Sequence, residues 1–92
     1  MLGGYGQVKN ADTEAQAVAD AVKGAAEELL QKTWNTWTAV SYQTQVVNGV
    51  NYKIKVKVDN DSYVHLHAHK ASSTGTITFS NAADGKTDSD SL

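Results

Sequence analysis

At 92 residues and a formal charge of −2, the chain is long enough for one modest hydrophobic core and too short for two, so a single domain spanning residues 1–92 is expected. Hydrophobic residues at 40% and charged residues at 20% exclude a disordered profile, and no run approaches the roughly 18 apolar residues of a membrane helix. All eight basic residues are lysines, so the guanidinium fork that grips phosphates and base edges is missing, and there is no cysteine for a disulfide or a thiolate zinc site. No nucleic-acid partner and no membrane partner are expected. The opening stretch MLGGYGQVKN lacks the charged-then-apolar order of a signal peptide, and a cytoplasmic protein is expected.

Residues 1–10 hold three glycines and scattered apolar groups, and read as a flexible N-terminal trunk. A helix follows. Thr13 and Gln16 have capping-box spacing, and Ala15, Val18, Val22, Ala26, Leu29 and Leu30 form one apolar stripe that ends near Thr33. At 1.5 Å per residue such a helix is roughly 30 Å long, and Gly24 inside it costs about 1 kcal/mol relative to alanine.

From Trp37 the period changes to 2. Val40, Tyr42, Thr44 and Val46 share one strand face, and Val50, Tyr52, Ile54, Val56 and Val58 alternate with Asn51, Lys53, Lys55 and Lys57 on the next strand. Asn48-Gly49 between them is a hairpin signal, because a type I′ turn needs positive φ at both central residues. The DNDS stretch at 59–62 is a turn. Val64, Leu66 and Ala68 then alternate with His65, His67 and His69, ASSTG turns the chain again, and Thr76 to Ser80 read as a last short strand. Residues 81–92 read as an acidic, loosely packed tail. One long N-terminal helix and four to five antiparallel strands bury their apolar faces only if the sheet wraps the helix, an α+β architecture.

The candidates for chemistry are few. The H-x-H-x-H row could chelate a metal, but no carboxylate or second histidine-bearing element stands beside it, so it reads as a solvent-facing row next to the lysines; no metal and no cofactor are expected. Glu27 and Glu28 are adjacent, point to different sides of the helix and read as solvated charges. With no hydrolase elbow, no His-Glu-x-x-His and no phosphate loop, nothing points to an enzyme. Trp34, Trp37, Tyr42 and Tyr52 fall in or beside the periodic strands and read as core.

The order of features carries more. Gly3-Gly4, then a helix, then YQTQVVNG at 42–49, NYKIKVKV at 51–58 and YVHLHAHK at 63–70 resembles the cystatin superfamily, most closely its cysteine-free stefin branch, over nearly the whole chain. The resemblance implies a cystatin-like fold and reversible, non-covalent inhibition of papain-like (cathepsin-type) cysteine peptidases by a wedge of three segments. Those segments correspond here to Met1, Leu2, Gly3 and Gly4; to Gln45, Val46, Val47, Asn48 and Gly49; and to Ser72, Ser73, Thr74 and Gly75. By the same resemblance, Leu2 fills an apolar specificity pocket, while Gly3 and Gly4 let the backbone pass the catalytic cysteine. Stefins usually carry an apolar tip such as Leu-Pro on the second hairpin; SSTG is small and polar, which implies a weaker second contact. Two other functions fit the same fold: a binding scaffold without peptidase inhibition, and a self-associating protein in which the first hairpin opens and a swapped dimer replaces the monomer.

Overall fold

Asp12 starts the helix, and much of the fold's alignment follows from that. The computed structural model describes residues 4–92, in which α1 (Thr13–Leu30) crosses a five-stranded antiparallel sheet of β1 (Lys9–Asn10), β2 (Thr38–Val47), β3 (Gly49–Lys57), β4 (Tyr63–Lys70) and β5 (Ile77–Lys86). The strands lie side by side in chain order. Asp12 has extended backbone, and its carboxylate accepts from the Ala15 N–H at 2.9 Å, so the cap is Asp12 and the expected Thr13/Gln16 capping box does not form. Gln16 is thereby free to reach the sheet. Its Nε2 donates to the Asp20 carboxylate (2.9 Å) and the Trp37 carbonyl (3.2 Å), and its Oε1 accepts from the Ala39 N–H at 2.8 Å.

The helix buries Ala15, Val18, Ala19, Val22 and Ala26 against the sheet, small side chains that let backbone approach backbone. Gln31 ends it in the left-handed region at φ 56°, two residues before the expected stop. The buried stripe continues along the i, i+4 line from Ala26 to Leu30, which packs on the core, and Leu29 is turned to solvent at 52% exposure. Glu27 is less solvated than expected, because its Oε2 accepts from the Trp34 N–H at 3.0 Å.

β3 and β4 follow their alternation: Tyr52, Ile54, Val56, Val64, Leu66 and Ala68 are buried beneath the helix. β2 and β5 depart from it. The register steps from Ala39 opposite Val56 to Ser41 opposite Lys55, so Val40 is an inserted residue and Ala39, rather than Val40, packs on the core. Two similar irregularities break the alternation in β5, which is why the sequence pattern suggested an end at Ser80 for a strand that runs to Lys86. Ala82, within the supposedly loose tail, is buried.

The trunk also acquires partners. Lys9 and Asn10 pair with Tyr42 and Ser41, and the Gly6 N–H bonds the Thr44 carbonyl at 2.9 Å. Met1, Leu2 and Gly3 lie outside the described residues. Trp34 and Trp37 stack with centroids 5.3 Å apart, and the buried Tyr42 and Tyr52 rings lie 6.5 Å apart. Their hydroxyls donate to Asp12 (2.8 Å) and Glu14 (2.7 Å), tying the sheet to the first turn of α1. The histidine row is less solvent-facing than expected: His67 and His69 are half-buried, and His65 is only 7% exposed, beside a buried Lys55 whose ammonium donates to the Asp88 carbonyl. Residues after β5 fold back over this end of the sheet.

Candidate functional site

The β2–β3 turn is tighter than a two-residue link. Val46 lies opposite Val50 and Val47 opposite Gly49, leaving Asn48 alone at the tip, and of the two turn residues only Gly49 has positive φ, at 103°. The expected type I′ turn is therefore not formed. One residue makes the bend and glycine absorbs the strain. A Cβ on Gly49 would stand 2.3 Å from the Lys70 carbonyl oxygen and 2.9 Å from the His69 ring, so close approach as well as φ demands glycine.

The five motif residues have different exposures. Val46 projects at 74% exposure, Asn48 is exposed, Gln45 and Val47 are half-buried and Gly49 is buried. A bare valine at a tip forgoes the roughly 1.5–3 kcal/mol that burying such a side chain is worth. It is apolar surface available to a partner.

The β4–β5 turn carries Ser72, Ser73, Thr74 and Gly75, all exposed. It is closed by the Gly75 N–H to the Ala71 carbonyl and the Ala71 N–H to the Thr76 carbonyl, each at 2.9 Å, with Gly75 at φ 71°. Ser72 Oγ donates to Asn48 Oδ1 at 3.3 Å, which links the two tips. Between them and the start of α1 is a concave space of about 480 Å³, walled by Val46, Val47, Val50, Tyr52, Lys70 and Glu14 among others.

The N-terminal segment reaches the same end. Gln43 Nε2 donates to the Gly6 carbonyl at 3.0 Å, and Lys53 places its ammonium 4.3 Å from the Tyr5 ring centroid. The chain thus runs antiparallel beside β2, and Gly4, exposed and with open space where a Cβ would stand, lies on the hairpin side of Gly6. The structure brings Gly4, residues 45–49 and residues 72–75 toward one end of the sheet; Met1, Leu2 and Gly3 are outside the described residues.

Two residues of this region escaped sequence reasoning. Asn51 donates to Gln45 Oε1 at 3.0 Å and its Oδ1 lies 2.8 Å from His69 Nδ1. Only part of the signal was present: Gln45 and Asn51 are equidistant from the tip residue Asn48, whereas His69 joins them through the β3–β4 register. Among the described residues, no group of three or more histidine, aspartate or glutamate side chains is arranged to hold a metal, and no helix is long and apolar enough to cross a membrane.

A helix laid across an antiparallel meander, with a Q-x-V-x-G tip beside a glycine-bearing N-terminal segment, defines a cystatin domain. The family model for that domain matches residues 3–86, and the chain belongs to the cystatin family. Among curated proteins it is similar to stefin-C of Bos taurus, 44% identical over 54 residues that make up 59% of this chain and 54% of that protein. Cystatin-A1 of Sus scrofa is 44% identical over 55 residues (60% and 53%), and cystatin-A of Homo sapiens 45% over 53 (58% and 54%). The stefin-like reading of the sequence holds, and the chain spans about half the length of the curated relatives it matches.

Proposed function

We propose that the protein is a reversible, non-covalent inhibitor of papain-like cysteine peptidases. The trunk with Gly4, the first hairpin at residues 45–49 and the second at residues 72–75 enter the active-site cleft together as a wedge. The observation that carries this reading is their convergence at one end of the sheet, with the two tips bonded through Ser72 and Asn48. Exposed Val46 and half-buried Val47 supply apolar area, and main-chain groups near Asn48 can bond a partner's backbone. Inhibition of this kind needs no activated nucleophile, only occupancy of the cleft. Leu2 is the proposed anchor, and burying its side chain contributes on the order of 2 kcal/mol before ordering costs, more than tenfold in affinity.

The test is a titration of active papain at nanomolar concentration, run with the wild type and with Gly4→Glu and Val47→Asp. Gly4 faces open space, so its variant keeps the fold. Steep, reversible loss of activity near an equimolar ratio, weakened about tenfold or more by each substitution, is expected. A folded monomer that leaves papain and a cathepsin active at micromolar concentration would replace this reading with the second one, a cystatin-fold binding scaffold, which the polar second tip favours. A swapped dimer would emerge early from a sizing column and lack the tip altogether.

A further inference from the structure

We infer that His69 is a positioning residue for the first hairpin, acting through a cross-strand row of Gln45, Asn51 and His69 that holds the turn in its protruding shape. Its consequence for inhibition rests on the proposed function above; its consequence for the hairpin does not. Gln45 lies directly opposite Asn51 in the β2–β3 register, and Asn51 directly opposite His69 in the β3–β4 register. All three project from the sheet face away from α1, because their neighbours Tyr52 and Ala68 point into the core.

The row is directional. Asn51 Oδ1 can only accept, so the 2.8 Å contact requires the proton on His69 Nδ1, and Asn51 Nδ2 passes a bond on to Gln45 Oε1 at 3.0 Å. One amide therefore serves both sides. The imidazole also acts as a stop. Its Cε1 and Nε2 each lie 2.9 Å from where a Gly49 Cβ would be, so the ring fills the space the glycine leaves and blocks collapse of the turn onto β4. Gln45, at the base of the exposed tip, is held from one side, and Gly49, at its return, from the other.

A turn held in this way binds without first being ordered. Without His69 the binding-competent shape becomes one of several, and apparent affinity falls with its population. The two roles of the ring are separable: His69→Phe keeps a ring and loses the bond, His69→Gln keeps a donor and loses the ring, and His69→Ala loses both. His67→Ala is the control, one pleat along the same face and paired with Lys53 and Asn81, away from the hairpin.

Two measurements on the full chain decide it. Amide hydrogen exchange over residues 45–51 should quicken about tenfold in His69→Ala, less in the Phe and Gln variants, with Ile54 unchanged and His67→Ala like wild type. Stopped-flow association with active papain should slow by a similar factor while dissociation stays within about threefold, and the unchanged exchange at Ile54 separates this from a loss of global stability. Unchanged hairpin exchange in His69→Ala would overturn the inference. Quickened exchange with unchanged association would overturn its link to binding. If the wild type does not inhibit papain, the inhibitor reading fails by itself, and hydrogen exchange still decides whether His69 fixes the turn.

Discussion

Gly49 and His65 show how one residue can fix local behaviour for opposite reasons. Gly49→Ala forces a side chain into positive φ and against the Lys70 carbonyl, and strain of that kind costs about 1–3 kcal/mol before the clash is relieved. Urea unfolding should register that loss, and papain titration a larger one, because relief moves the tip. His65 is constrained by its surroundings. Burial first, then the ammonium groups of Lys55 and Lys86, hold its imidazole below the usual 6.5, with Asp90 pulling the other way and His67 adding slightly. The unfolded chain therefore takes up the proton first as pH falls. Stability is full above about pH 6.5 and declines below it toward the lowered folded value. His67 is shifted the same way, by burial and Lys53. Melting temperature should drop from about pH 7.5 to 5, and His65→Gln should flatten part of that slope. The positive φ of Gly49 was legible in the Asn-Gly signal, whereas its close approach to Lys70 and His69 and the burial of His65 were not. Alternation put His65 on the polar face correctly, but covering that face took the returning tail, which no local pattern announces.

At the scale of elements, the helix is aligned by side-chain bonds as much as by apolar contact. Gln16 spans from α1 to the Trp37 carbonyl and the Ala39 N–H at the start of β2, and Trp37 Nε1 bonds the Ala19 carbonyl at 3.1 Å. Gln16→Ala leaves the Ala39 N–H without its acceptor and should cost about 1–3 kcal/mol in urea unfolding. The elements divide by how regular they are. β3 and β4 carry no inserted residue, so period 2 revealed them whole. β2 and β5 contain insertions that reset inside and outside, and the pattern misassigned Val40 and stopped β5 early. β1 is two residues long and has no period to read. The hairpin tips were legible because a short motif sat in the right order of elements. The Gln45, Asn51 and His69 row was not, because it exists only once three strands are in register.

The molecule as a whole is elongated, 40 × 25 × 21 Å, and its two ends differ in character. β4 separates them: Lys70 leads into the second hairpin, whereas Tyr63 at the other end pairs with Lys86, seven residues or about 23 Å away along the strand. The segment after β5 covers Lys55 and His65 toward that far end. Removing residues 87–92 should therefore leave papain titration unchanged while weakening the pH dependence of melting, because an uncovered His65 regains water. β2 to β5 form a meander in which each strand pairs with its neighbour in the chain, and such local hairpins close within microseconds. The helix is the exception: it is made before β2 to β5, yet the strand it lies against most extensively is β5, the last. During synthesis, then, the apolar stripe of α1 leaves the ribosome long before its chief partner exists, and that interval is when the chain is most open to a chaperone or to a neighbouring nascent copy.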